Sequence, residues 1–352
     1  MTYFERAKIK YENLRTKQTV RILSVESSCD ETSIAIIENG RKILSNLVSS
    51  QIEIHKRFGG VVPEIASRNH VSAISNLYHE ALKEANLTEK DIDAVAVTYG
   101  AGLVGALLVG VNFAKALAFS LDVPLIAVSH IKGHIAANYL THKNLEPPFV
   151  CLMVSGGHTA ILNVDSYNSH ELVGTTIDDA VGEAFDKVSR VLGLGYPGGP
   201  NVDRLAKTGQ ENIKFISHSP LGNTFNFSFS GIKTAVINYV NKLNQKNEMI
   251  CKEDVCASFQ KEVVDELSRK TFRAVESLNS KKLVVAGGVS ANSKLKETLN
   301  CFAKEKKVEL FMPNLELCTD NAAMIGSAAY FLMKDGLGLA DLSLTAKATV
   351  SL

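Results

Sequence analysis

At 352 residues the chain is too long for one comfortable hydrophobic core, so two packed units are expected. A composition of 45% hydrophobic and 21% charged residues is that of a globular protein and excludes a disordered or fibrous one. The formal net charge of +1 sets up no global field, so a nucleic-acid partner must be met by a local patch. The six cysteines form no C-x-x-C pair and sit mostly in apolar runs, which points to a reducing compartment without a disulfide framework.

Residues 1–20 lack the apolar stretch of a secretory signal, and Glu5 and Glu12 make them too acidic for a transit peptide; a polar helical arm is expected. Arg21 to Val25 reads as a strand, Glu26 to Thr32 as a polar loop, and Ser33 to Ile37 as a second strand. Glu26, Asp30 and Glu31 crowd this loop. They suit either a hydrated Mg²⁺ beside phosphates or plain turn chemistry. Asp93 to Thr98, a strand, runs into Gly100-Ala-Gly-Leu-Val-Gly105. The dinucleotide pattern wants an acidic residue ending the next strand. Asp122 instead precedes the strand Val123 to Val128, so close strand–helix packing is favoured. The apolar run Ala101 to Leu121 contains Asn112, Lys115 and three glycines, and reads as a buried core helix rather than a membrane span.

Phe149 to Val154, Ser155 to His158 and Thr159 to Val164 repeat the strand, polar turn, strand pattern of residues 21–37. The repetition indicates an internal duplication. Ser155-Gly156-Gly157 and Gly287-Gly288 end strands, where glycine lets backbone N–H groups approach an anion; together they point to a nucleotide-phosphate site. Ile177 to Leu192 is expected as an amphipathic helix, with Asp179, Glu183 and Asp186 on one face. Carboxylates so placed repel unless solvated or bound to something. A rigid Gly/Pro turn, Gly193 to Pro200, follows it. Residues 282–286 form a strand, 293–305 a helix, and Asp320 to Met333 a packed helix.

His130 and His134 share a face if helical, and imidazoles so spaced can chelate one divalent ion. Ile131 occupies the place where a zinc peptidase needs its glutamate, which removes a peptidase reading. Satisfied structural histidines explain the pair equally well. Asp320 is a candidate third ligand, but as a helix N-cap it would need no metal.

The segments VESSCDETSIAI, GGVVPEIASRNHV, GLVGALLVG, SHIKGHIAA, MVSGGHT, IDDAVGEAFDKVSRVLGLGYPGGP, FSFSGIKTA, AGGVSAN and CTDNAAMIG, in that order over residues 21–330, resemble the TsaD family of tRNA threonylcarbamoyladenosine transferases, formerly called glycoproteases. Ala101 departs from the family's usual Gly-Pro-Gly-Leu. The resemblance implies an α/β, duplicated, two-lobed actin-like ATPase-type (ASKHA) fold with an interlobe cleft. The expected division is an arm at 1–20, a first lobe at 21–128 plus 319–352, and a second lobe at 129–318. The resemblance also implies that His130, His134 and Asp320 bind one divalent metal, Fe²⁺ or alternatively Zn²⁺. It places Met153, Val154, Ser155, Gly156, Gly157, Asp186, Gly199, Asp203 and Asn292 around threonylcarbamoyl-AMP, with the catalytic carboxylates Asp30 and Glu31 near the phosphates and important for turnover. The reaction implied moves threonylcarbamoyl to N6 of the adenosine 3′ of the anticodon in tRNAs reading codons that begin with A. Implied partners are tRNA, ATP or ADP with Mg²⁺, a TsaB-like paralogue and a TsaE-like ATPase, in the cytoplasm and away from membranes. The rival expectation is an actin-like ATP-binding regulatory module without transferase activity.

Overall fold

Each polar hairpin expected from sequence seeds its own sheet. The computed structural model describes residues 1–215 and 221–350; residues 216–220 and 351–352, which fall inside the expected second and first lobes, lie outside the described residues. Two compact units emerge: unit 1 is residues 1–54, 61–146 and 313–352, and unit 2 is residues 55–60 and 147–312.

Unit 1 opens with helix α1 (Tyr3–Thr16) and the antiparallel strands β1 (Arg21–Glu26), β2 (Glu31–Glu38) and β3 (Lys42–Ser50). The short α2 (Ile52–His55) crosses the unit boundary. Then come α3 (Pro63–Glu84), β4 (Ala94–Gly100), α4 (Val104–Leu121), β5 (Leu125–Ser129) and α5 (His130–Thr141). Unit 2 contains β6 (Phe149–Val154), β7 (Thr159–Val164), β8 (His170–Thr175), α6 (Val181–Val191), α7 (Gly198–Ala206), α8 (Ser230–Gln245), α9 (Lys252–Ser277), β9 (Lys282–Ala286), α10 (Ser293–Lys306) and β10 (Glu309–Phe311). The chain re-enters unit 1 with α11 (Ala322–Lys334) and β11 (Leu339–Ala340).

The sheets run β3-β2-β1-β4-β5-β11 and β8-β7-β6-β9-β10. In each, the first hairpin strand pairs antiparallel with its successor and parallel with a strand reached by a crossover: Val25 opposite Val97, Met153 opposite Ala286. The shared order is the duplication. Central β1, β4, β6 and β9 are buried along almost their whole length, as strands covered on both faces must be, and therefore show apolar runs rather than alternation.

Helix α4 is long and apolar enough to cross a membrane by length and composition. Here Val111, Ala114 and Ala118 pack into the unit 1 core with Leu23, Val25 and Val95, and Lys115 donates to the Leu344 carbonyl. The Gly-x-Gly-x-x-Gly pattern serves that packing. A Cβ on Gly102 would lie 2.5 Å from the Ser28 carbonyl oxygen, and one on Gly105 2.6 Å from Ser67 Oγ. Asp122 takes a left-handed conformation (φ 53°) at the end of α4, and its carboxylate binds Arg6 and Lys10 of α1. No ribose partner is needed to explain it.

The boundaries differ from expectation, and residues 55–60, expected in the first lobe, fall in unit 2. Residues 129–146 belong to unit 1, because α5 packs on α11: Gly133 faces Met324 and Ile325, and Ser327 Oγ donates to the Ala136 carbonyl. Residues 313–318 also belong to unit 1, where the Asn314 N–H donates to Thr141 Oγ1. The helix expected within residues 1–20 forms as α1 and packs one face inward. Tyr3, Ala7, Tyr11 and Leu14 of α1 are buried, and the Tyr3 hydroxyl donates to the Val123 carbonyl.

Candidate functional site

Strand β5 ends at Ser129 and α5 starts at His130, so both histidines lie in the first turns of a helix set on the sheet's C-terminal edge. The rings of His130 and His134 meet edge to face, with centroids 4.5 Å apart. Asp320 Oδ1 lies 3.4 Å from His130 Nε2 and 3.3 Å from His134 Nε2. Asn321, not Asp320, caps α11 by accepting from the Met324 N–H, so the capping explanation of Asp320 falls away. His134 is buried, yet its Nδ1 has no hydrogen-bond partner and its Nε2 lacks hydrogen-bond alignment to Asp320. One donor atom from each of the three residues falls within 4.8 Å of the others. Two imidazoles and a carboxylate with orphaned buried nitrogens fit a divalent metal. Burial alone would push the His130 imidazole down, but Asp320 and Glu26 outweigh it and hold it well above its ordinary value. Burial likewise opposes ionisation of Asp320, and His130 and His134 more than offset it, keeping that carboxyl far below the usual range.

The acidic loop differs from its expected form. Glu31 lies in β2, opposite Ser50, and only Asp30 remains in the turn, its carbonyl accepting from the Gln51 N–H. Burial, Asp30 and Asp320 push the Glu31 carboxyl up to about 9; a cation at Asp320 would bring it down. Glu26 is wholly buried, with both oxygens engaged: Ser28 N–H donates to Oε1 and Thr98 Oγ1 to Oε2. It is not available to a hydrated Mg²⁺, which keeps several waters.

In unit 2 the glycine loops lie at the C-terminal ends of the parallel neighbours β6 and β9, where open α/β sheets bind ligands. Met153 and Val154 are wholly buried, backbone included, at the end of β6. The Ser155 N–H donates to the His158 carbonyl, leaving Gly156 and Gly157, both exposed, as the amides open to an anion. A Cβ at either of these glycines would meet nothing within 4 Å. The other expected residues are linked to this loop in sequence. Gly182 of α6 packs on Gly156; Asp186 accepts from the Gly198 N–H at the start of α7, and Gly199 is open. Asp203 accepts from the Ser293 N–H and hydroxyl. Asn292 caps α10 through Oδ1 while its Nδ2 donates to Gln260.

The expected carboxylate face does not form. Helix α6 starts at Val181, because residues 175–177 pair with the segment around Phe227 and Asp178 accepts from the N–H groups of Phe229 and Ser230. Asp179 therefore precedes the helix and binds Lys187 (2.9 Å) and Lys233 (2.6 Å), while Glu183 also pairs with Lys187. Gly182 was not singled out in the sequence; its signal was a lone glycine in the first turn of an amphipathic helix.

The fold and the buried His–His–Asp centre define an actin-like α/β protein built from two homologous units. Solved structures share the fold at low identity. A HypF from T. kodakarensis aligns with a TM-score of 0.63 at 15% identity over 93% of this chain and 49% of that one. Component A of the Acidaminococcus fermentans (R)-2-hydroxyglutaryl-CoA dehydratase gives 0.53 at 13% identity over 90% and 98%. The family profile described as tRNA N6-adenosine threonylcarbamoyltransferase matches residues 42–327, and the chain belongs to this TsaD family. A relative of that name from Clostridium perfringens is 55% identical over 94% of this chain and 98% of its own length. Another from Clostridium botulinum is 58% identical over 90% and 93%.

Proposed function

We propose that this chain is a tRNA N6-adenosine threonylcarbamoyltransferase that takes threonylcarbamoyl from threonylcarbamoyl-AMP to the adenosine 3′ of the anticodon in tRNAs reading codons that begin with A. The observation that carries this reading is identity of 55–58% over at least nine-tenths of the chain to transferases of that name. Unit 2 supplies the donor site: Gly156 and Gly157 amides at the reacting carbonyl or phosphate, with Asp186, Gly199, Asp203, Asn292 and the strand end Met153, Val154 and Ser155 around the adenylate. His130, His134 and Asp320 hold one divalent ion, Fe²⁺ or Zn²⁺, which when bound supplies Lewis-acid charge stabilisation. Adenine N6 forms the new C–N bond to the carbamoyl carbon, the C–O bond to phosphate breaks, and AMP leaves with the electron pair. Adenine N6 is a weak nucleophile, so orientation and a proton acceptor matter. Asp30, in the turn beside β2, takes the N6 proton; Glu31, pushed up to about 9, is the acid that stays protonated until a cation sits nearby.

ATP or ADP with Mg²⁺, a TsaB-like paralogue and a TsaE-like ATPase complete the reading, in the cytoplasm. Val71 of α3 and Val104 and Leu108 of α4 are exposed apolar side chains suited to a protein partner. The test is reconstitution with threonine, bicarbonate, ATP, an adenylate-forming enzyme and tRNA, with and without those partners. Modified adenosine is expected in the tRNA hydrolysate from wild type, and neither metal nor product from His130→Ala/His134→Ala. No modified adenosine in any combination would overturn the reading. Asp30→Asn should lose roughly 10²–10⁴-fold in turnover with donor binding intact; normal turnover would remove Asp30 as the base.

A further inference from the structure

We propose that Glu26 is a positioning residue of the metal centre, turning the His130 ring so that Nε2 is its ligand atom. The inference rests on the metal reading of the His–His–Asp triad.

The sheet brings these groups together. Glu26 ends β1, the parallel register beside it sets Val25 opposite Val97, and Thr98 follows on β4. The next strand in the sheet is β5, which leads directly into His130. Glu26 Oε2 accepts from Thr98 Oγ1 at 2.5 Å and lies 3.3 Å from His130 Nδ1. Its Oε1 accepts from the Ser28 N–H at 2.6 Å, so the carboxylate is clamped on both oxygens. Ser28 Oγ, 3.2 Å from the same Nδ1, closes that side of the ring.

His130 thus has a carboxylate at each nitrogen: Glu26 at Nδ1 and Asp320 at Nε2. A neutral imidazole carries one N–H. A buried, acceptor-only carboxylate at Nδ1 claims that hydrogen and leaves the Nε2 lone pair facing Asp320 and His134. Such carboxylate–histidine–metal arrangements fix the tautomer and strengthen the ligand. His134 has no counterpart, since its Nδ1 is unpartnered. The two histidines are therefore unequal: Glu26 orients one, while only helix α5 and its packing orient the other. Glu26 and Asp320 together also carry the charge that a divalent ion neutralises, which gives a fully buried glutamate a reason to be there.

The experiment is Co²⁺ titration of the chelator-stripped full chain against a competing chelator, reading dissociation constant and visible absorption. Glu26→Gln would place an amide donor at Nδ1 and favour the wrong tautomer. It should weaken Co²⁺ by about 10–100-fold and move the absorption band. Thr98→Val, which only unclamps Glu26, should weaken it several-fold in the same direction and decides the matter if Glu26→Gln fails to fold. Affinity and spectrum unchanged in Glu26→Gln, or in Thr98→Val where that variant decides, would overturn the inference while leaving the metal reading intact. A wild type that takes up no Co²⁺, or a His134→Ala variant that binds it as tightly as wild type, would overturn both.

Discussion

Gly182→Ala offers a test of the glycine loop that separates positioning from stability. A Cβ at residue 182 would sit 2.8 Å from Gly156 Cα and from the Ser155 carbonyl oxygen, both backbone atoms. Carbon contacts are comfortable at about 3.5–4.0 Å, so the loop must retreat by roughly 0.7 Å. Overpacking of this kind costs about 1–3 kcal/mol, and replacing glycine by alanine in a helix returns about 1 kcal/mol. The net loss of stability should be about 0–2 kcal/mol, a melting shift of under about 8 °C. The loop amides of Gly156 and Gly157 move with the backbone, and displacements near 1 Å can cost about 100-fold in rate. Transfer to tRNA should therefore fall about 10–100-fold while the melting curve stays close to wild type. Metal content should not change, because all three ligands lie in unit 1. The assay is adenosine modification under single-turnover conditions, paired with thermal melting and metal analysis. A variant that transfers at the wild-type rate would refute the assignment of the 156–157 amides to the reacting group.

Two further outcomes probe the scaffold. Tyr11 of α1 is 1% exposed and donates its hydroxyl to the Leu337 carbonyl, so Tyr11→Ala should cost about 3–5 kcal/mol in urea unfolding and Tyr11→Phe about 1 kcal/mol; equal effects would mean that ring burial is not what anchors α1. Burial opposes ionisation of Asp179, but hydrogen bonds from Lys233 and Lys187 outweigh it and hold its carboxyl below the ordinary range. Its contribution is full above the unfolded-state value near 3.8 and is lost as pH falls through the lower folded value. Asp179→Asn should thus destabilise by about 1.5–3 kcal/mol at pH 7, and the gap to wild type should close below about pH 4; a gap that persists at pH 2 would contradict the ion-pair account.

Local pattern carried the strands well, because a buried strand needs a short apolar run and both hairpins supply one on each side of a polar turn. Helical spacing likewise put His130 beside His134. What local pattern could not supply was contact between distant residues. Asp320 was a candidate third ligand with an equally good capping role, and that rival role was settled by its neighbour Asn321. The start of α6 was misread because amphipathic periodicity continues through residues 177–180, while pairing with the segment near Phe227 claims their backbone. Glu26 read as one of three loop acids; its burial depends on Thr98 and His130, 72 and 104 positions away.

The metal centre is split by the order of synthesis. His134 and Asp320 are separated by residues 147–312 of unit 2, so a ribosome that has completed α5 at Thr141 must add 179 further residues before the third ligand exists. At translation speeds of about 5–20 residues per second that is roughly 10–40 s. Helix α11, which covers α5 and is buried along most of its length, emerges after Asp320. During this interval the two histidines sit on a helix without its cover and without their carboxylate. Unit 2, a continuous stretch but for residues 55–60, has time to fold first. Binding of a divalent ion by all three residues would then be a late event in the life of the nascent chain, and an ion captured early by the histidine pair alone would be held by two ligands and readily exchanged.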